Sequence, residues 1–525
     1  MTLIDLTKEL AATASSLKRS QKVLLLLLFA ISTFLVVIFY RLYLHPLRRV
    51  PGPFLARITE LWRTTKYAKG NWHQDILNLH NTYGPVVRVS PNEVSIVDKK
   101  GLVEVYGHGK GTRKTRWYDT WRVPGFRDSF FNTTDTREHA FLRKRVASAY
   151  SMSSILSLEA QLQEIATGVW EQLDSFAISG KALDMHDWAS YFAFDVVGKI
   201  ALGSPIGFVR EATDIMNIIQ SIHAGFYQMA NLGYVPGQMK WINNFITQLI
   251  LKFMSRGEPN SFGDFQAWNF QQVQNRLNEP EGSDRTPDLL DHFIAMREPD
   301  GSKATIASVM IETGNIIGAG ADTTSVGIRS VLSQLIAHQD DYLRVRDEVD
   351  QAYAQGFDSP GGSGIPYLVA EKLPYLNACV KEGLRLHPSI LWQLPREAPK
   401  NGVEIAGHYI PSSATISMSP IAQNRDKSVF GPDAGEWKPS RWIISKEVTE
   451  VEVREMDKYN VTFGYGSRTC IGRNLALVEI FKFIADFVRR YDAKFTNELN
   501  PFNIKSQWFS VQKDMYISLN MRQKQ

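Results

Sequence analysis

The first long run without a charge spans residues 23–40, VLLLLLFAISTFLVVIFY, between Lys22 and Arg41. Its 18 residues make about 27 Å of helix at about 1.5 Å per residue, close to the roughly 30 Å hydrocarbon core of a bilayer. Leu42 to Leu44 extend the run, with Tyr40 and Tyr43 placed as interfacial rings. A cleaved signal peptide would carry a shorter apolar run followed by small residues, whereas Arg-Leu-Tyr-Leu-His-Pro follows here. The pattern predicts a short N-terminal segment over 1–22 and a transmembrane anchor over 23–44. Lys18, Arg19 and Lys22 precede the run and Arg41, Arg48 and Arg49 follow it, so charge leaves its orientation open. Pro46, Pro51 and Pro53 then fix φ and remove backbone donors, which predicts a stiff, non-helical hinge over 45–60.

Beyond the hinge, apolar positions recur mainly at helical spacing. Residues 155–176 and 191–202 read as helices, and a long helical stretch covers roughly 305–338. Leu475, Val478, Phe481, Ile484 and Phe487 set a further helix over 474–491. Residues 86–89, 403–410 and 415–418 read as strands of a small sheet. Loops rich in Gly, Pro, Asp or Ser are expected over 279–303 and 356–366. The expectation is a mainly α body with a minor β portion over 61–525, with no repeat and no second domain.

Composition narrows the function classes. The chain of 525 residues is 44% hydrophobic and carries a formal net charge of +5, ample for a large core. That charge is dispersed and too small to argue for nucleic acid; a basic face suits an acidic redox partner or anionic lipid. The two cysteines, Cys379 and Cys470, cannot build a disulfide framework, a four-cysteine zinc site or a cysteine-ligated iron–sulfur cluster. A reducing compartment follows, and each cysteine stands alone.

Cys470 lies in FGYGSRTCIG, residues 463–472. Glycines around it permit tight turns and close approach of a flat ligand, and the helix that follows favours an anionic sulfur. A buried structural cysteine in a glycine-rich turn is the stronger reading of these residues alone. KEGLRLHP puts Glu382 and Arg385 three apart on one helix face, in isolation an ordinary ion pair. GAGADTTS, residues 318–325, sets glycines at 318 and 320 inside the long helix at a cost of about 1 kcal/mol each. Thinned side chains there let something approach the backbone, with a carboxylate and a hydroxyl adjoining; small-residue packing with a solvated Asp is the plainer alternative.

Together these motifs resemble the cytochrome P-450 family. FGYGSRTCIG fits the haem-binding signature F-x-x-G-x-R-x-C-x-G at every fixed position, Glu382 and Arg385 fit E-x-x-R, and AGADT fits [A/G]-G-x-[D/E]-T. The resemblance runs from the anchor to the C-terminal strands. It implies the cytochrome P-450 fold behind one transmembrane helix, and heme b with iron axially ligated by Cys470. By the same resemblance Arg468, Arg396, His139 and Arg143 face haem propionates, and Phe463 packs near the thiolate. Thr323 then bonds dioxygen at the haem, and Asp322 relays protons for O–O cleavage. Glu382 and Arg385 form a structural triad with Arg441, where PSRW stands for the usual P-E-R-W and lacks its acid.

RLHPSI, NRDKSVFGPDA and VRRYDAKF are similar to pisatin-demethylase-like microsomal enzymes of fungal secondary metabolism. The implied activity is haem-dependent monooxygenation of a lipophilic small molecule. Electrons would come from NADPH through NADPH-cytochrome P-450 reductase, with cytochrome b5 as a further donor, at the endoplasmic reticulum membrane with the body cytosolic. Trp117, Tyr118, Trp121, Phe130, Phe131, Leu391, Trp392, Trp508 and Phe509 fall in the family's substrate-recognition tracts. The rival reading is a haem-thiolate isomerase or dehydratase that needs neither O2 nor reductase; Asp322 and Thr323 argue against it. A haem-based sensor or carrier is the non-enzymatic rival.

Overall fold

The computed structural model describes residues 18–522 except 123–125, 236, 239–243, 247–248, 250–260, 281–285 and 358–363. Most of the expected segment 1–22, residues 281–285 of the first expected loop and 358–363 of the second therefore lie outside the described residues. The helices that organise the site are α1 (Arg19–Phe39), α2 (Thr136–Val146), α3 (Glu159–Ser179), α4 (Met185–Leu202), α5 (Ile218–Leu232), α6 (Ser261–Leu277), α7 (Ile306–Ala337), α8 (Gln339–Ala354), α9 (Pro374–Leu386) and α10 (Arg473–Arg490). The strands used below are β1 (Val86–Ser90), β2 (Glu93–Ile96), β3 (Arg396–Glu397), β4 (Thr415–Ser417), β5 (Asn503–Gln507) and β6 (Phe509–Lys513). The protein is mainly α with small sheets, as the periodicity predicts.

α1 runs into a π-helical turn, Tyr40–Leu44, and the span Arg19–Leu44 is long and apolar enough to cross a membrane. None of its residues is buried against the body, as expected of a segment whose apolar faces meet lipid on all sides. The hinge departs from expectation. Pro46 starts a 3-10 turn, Pro46–Arg49, and Phe54–Ile58 is helical, because proline at the first helical position forfeits only a donor that has no partner anyway. Leu47 and Val50 are buried with Val86, Val94 and Ile96. Buried Arg88 donates from Nη1 to Arg41 O (3.1 Å) and from Nη2 to Pro91 O (2.7 Å), tying the end of this apolar span to β1.

α7 forms the spine of the body. Thr305 Oγ1 accepts from Ser308 N at 3.1 Å and caps its start; at about 1.5 Å per residue it is about 48 Å long. Its apolar residues are buried on nearly every side, with α4, α9 and α10 packed around it. Two glycines allow that packing. A Cβ on Gly383 of α9 would lie 2.9 Å from Val331 Cα, and one on Gly327 of α7 would lie 2.7 Å from Ile480 Cδ1 of α10. Other boundaries shift for local reasons. The helix expected over 155–176 breaks at Ser157 and Leu158 into Met152–Leu156 and α3. The expected loop 279–303 contains helix Leu289–Ile294, capped by Asp288. The strand expected over 403–410 is a hairpin, Val403–Ile405 with His408–Ile410, because Ala406 and Gly407 both take positive φ.

β1, β2, β4 and β3 form one sheet in that order, with β2 parallel to β4 and the other pairs antiparallel. Below α7, Glu382 binds the triad that the sequence suggests. Arg385 Nε and Nη2 donate to its two oxygens at 2.8 Å, and Arg441 Nε donates to Oε1 at 2.9 Å. Trp442 Nε1 also donates to Glu382 Oε2 at 2.8 Å, and where PSRW lacks its acid Arg441 Nη1 donates to Asp433 Oδ1 at 3.0 Å. Glu382 and Arg385 are fully buried, so removing the carboxylate leaves the Arg385 guanidinium without an acid, while Arg441 keeps Asp433. Glu382→Ala is expected to cost about 3–5 kcal/mol, read as a lower urea midpoint for unfolding.

Candidate active site

A cavity of about 380 Å³ lies between α7 and the loop that ends at Cys470. That loop is held by its own backbone, since Cys470 N donates to Phe463 O at 2.8 Å. Gly464 and Gly466 adopt left-handed φ of 80° and 66°, and a Cβ on Gly466 would overlap Tyr106 O. The sulfur is exposed, but it lines the cavity and faces its interior. Burial pushes the Cys470 thiol up; the Gly472 and Arg473 amides at the start of α10, with the Arg143 and Arg473 guanidinium groups, pull it down. On the protein's groups alone the balance is upward, and a coordinated metal ion deprotonates such a thiol outright. Phe463 also lines the cavity, its ring 5.8 Å from the Arg473 guanidinium.

Across the cavity, α7 presents Gly318, Ala319, Gly320 and Thr323. Thr323 Oγ1 donates to Ala319 O at 2.7 Å, which fixes the hydroxyl. Asp322 does not reach the cavity. It is buried on the neighbouring face of α7, with Oδ1 2.9 Å from His223 Nε2 and Oδ2 without a hydrogen-bond partner. Burial pushes its carboxyl up, but His223, Arg329 and His186 outweigh that and hold it below the usual range.

At one pole the cavity gathers Lys114, His139, Arg143, Arg396 and Arg468, while no carboxylate is among its described lining residues. Arg396 Nη1 donates to Tyr118 Oη at 3.1 Å, and Arg468 Nη1 to Phe130 O at 3.2 Å. Lys114 Nζ donates to Phe131 O and sits 3.9 Å from the Tyr118 ring centroid. Arg468 Nη2 and His139 Nε2 are buried without a partner. Burial and the mutual repulsion of these cations depress Lys114 well below its usual value, His139 to about 3 and Arg468 to about 10. A crowd of buried donors without an acid is costly unless a polyanion joins it. Heme b fits, because its two propionates would meet this pole while Cys470 meets its iron.

The rest of the cavity is mainly apolar, with Arg127, Gln266 and Asn315 among its polar lining residues. Of the rings the sequence singles out, Tyr118, Trp121, Phe130, Phe131 and Trp508 line it. Trp508 reaches it from the tight β5–β6 turn, where its φ is 76°. Trp117, Leu391, Trp392 and Phe509 do not line it; Trp392 stacks on Tyr67 at 3.9 Å. Sequence reasoning missed Lys114, which has no motif around it. It also missed Ile222, Phe226 and Met229 on α5, whose i, i+4, i+7 spacing was a usable signal. Asn132, in an Asn-Thr-Thr glycosylation sequon, is buried and donates to Trp121 O at 3.0 Å, which leaves no room for a glycan.

The profile of the cytochrome P450 family matches residues 50–519. Cytochrome P450 monooxygenase cicH of Emericella nidulans is 31% identical over 494 residues, covering 93% of this chain and 96% of its own. Pisatin demethylase of Fusarium vanettenii is 29% identical over 473 residues, covering 90% of each chain. Cytochrome P450 monooxygenase mpaDE of Penicillium brevicompactum is 31% identical over 498 residues; the chain spans 56% of that relative's length. The chain belongs to the cytochrome P450 family, and with it to a class of monooxygenase enzymes. Members of that family bind haem through a cysteine thiolate and draw electrons from a redox partner.

Proposed function

We propose that the protein is a membrane-anchored monooxygenase that inserts one oxygen atom from O2 into a neutral, lipophilic small molecule, as a tailoring step in fungal secondary metabolism. The observation that carries this reading is one cavity holding Cys470, the cationic pole and Thr323, with aromatic walls and no carboxylate among its described lining residues. Heme b bound through Cys470 supplies the reductive activation of dioxygen. Lys114, His139, Arg143, Arg396 and Arg468 would hold its propionates, and Phe463 would pack near the sulfur. Thr323 holds a hydroxyl proton at Oγ1 on the opposite wall, and Asp322 is the acid that replenishes it. The aromatic walls orient the substrate and exclude water.

The electron source that suits an anchored body is NADPH through NADPH-cytochrome P-450 reductase, with cytochrome b5 as a second donor. The span Arg19–Leu44 supports placement in the endoplasmic reticulum membrane, with the body cytosolic. Residues 45–60 are then less a hinge than a docked collar, and 61–525 the catalytic domain. In microsomes with the reductase, consumption of O2 is expected to require both NADPH and the full chain. Turnover of a fatty-acid hydroperoxide without NADPH, together with no NADPH-dependent O2 uptake, would instead identify the isomerase or dehydratase.

A further inference from the structure

α5 roofs the cavity with Ile222, Phe226 and Met229, while His223 points elsewhere and does not line it. Its Nε2 lies 2.9 Å from Asp322 Oδ1, and its ring packs 5.1 Å from Phe509 and 6.5 Å from His186. The His223 side chain is 14% exposed, against 3% for Asp322. A carboxylate that gives up a proton in each cycle needs a route back to water, and Asp322 has little contact with water of its own. The other groups facing this pair cannot serve. Arg329 of α7 is buried, donates to His186 O and Ser190 Oγ, and keeps its proton at working pH. His186 of α4 is pushed down to about 3 by burial and then by Arg329, so it stays neutral. Asp184 and Asp187, at the start of α4, act on Arg329 rather than contacting Asp322.

We propose that His223 is the positioning residue through which Asp322 regains its proton from water. The imidazolium passes its Nε2 proton to Asp322 Oδ1, leaving a neutral ring with its proton on Nδ1. The carboxyl group turns and yields that proton toward the cavity through the Thr323 hydroxyl. Its departure opens Nε2 to water, which restores the imidazolium. One solvent proton moves per pass, and no electrons move. The inference rests on Asp322 being the acid of the proposed function.

The same contact also fits a plain tether between α5 and α7, and glutamine separates the two roles. His223→Gln retains a donor for Asp322 but has no proton to give up. Full-length protein with reductase and NADPH is assayed for O2 uptake in H2O and D2O. For His223→Gln we expect an unchanged reduced-CO spectrum, uptake lowered about tenfold, below the 10²-fold and more typical of a direct proton donor, and a larger solvent isotope effect. Combined with Asp322→Asn it is expected to add no further loss. Wild-type uptake in His223→Gln would overturn the relay and leave the tether. Wild-type uptake in Asp322→Asn would remove the acid itself and the relay with it. Unaltered protein supplies a check that needs no variant: uptake as a function of D2O fraction is expected to curve, as for several protons in transit, and a rate indifferent to D2O overturns the relay.

Discussion

Cys470→Ser is expected to abolish turnover and to leave the fold standing. A serine hydroxyl is almost the same size as the thiol, and the backbone bond from residue 470 to Phe463 O is untouched. The Gly472 and Arg473 amides that face the sulfur can donate to an oxygen equally well. What is lost is an anionic sulfur at the start of α10, the feature that makes a cysteine a strong ligand to iron and drives O–O cleavage. NADPH-dependent O2 uptake is therefore expected at background, with haem content reduced and the unfolding free energy of the haem-free protein, from urea titration, within about 0.5 kcal/mol of wild type. A variant that still turns over would return Cys470 to a structural role.

The second large effect is expected at Thr323. Its hydroxyl is held by Ala319 O, and Thr323 lines the same cavity as Cys470. On the proposed function, Thr323→Ala removes a hydroxyl proton donor from the cavity wall without changing the helix, because alanine is the best helix former and fits the same space. Reducing equivalents should then leave as peroxide. Product formed per NADPH is expected to fall about 10²-fold, the lower end of what a positioned proton donor contributes, with a matching rise in hydrogen peroxide. Equal peroxide yields in Thr323→Ala and wild type would take Thr323 out of oxygen activation. Asp322→Asn is expected to slow uptake rather than divert it, since Asp322 acts from behind the wall.

Much of this was legible because it is local. The uncharged run of 23–40 needs no partner to declare itself, and Thr305 and His338 bound α7 where the periodicity starts and stops. The loop around Cys470 is likewise set by glycines within a few residues. The harder features depend on contacts between distant segments. Lys114 is a lone lysine in a loop, and it reaches the cationic pole because its backbone bridges to Arg396 beside the sheet. Asp322 sits next to Thr323 in sequence, yet one residue of helix turns it about 100° away, and His223 on α5 decides where it points. The prolines of 45–60 read as a spacer because proline breaks interior helix; only the apolar contacts of Leu47 and Val50 show that the segment is docked. Trp117 and Trp392 carry no mark that distinguishes them from the rings that line the cavity.

The central claim is that Cys470 binds haem iron as a thiolate. The most direct measurement is the visible spectrum of the purified full-length protein after reduction and saturation with carbon monoxide. A Soret band at the long-wavelength position imposed by a thiolate ligand, present in wild type and absent in Cys470→Ser, is the predicted result. A band at the shorter wavelength of imidazole-ligated haem in wild type, or a thiolate band that survives in Cys470→Ser, would contradict it.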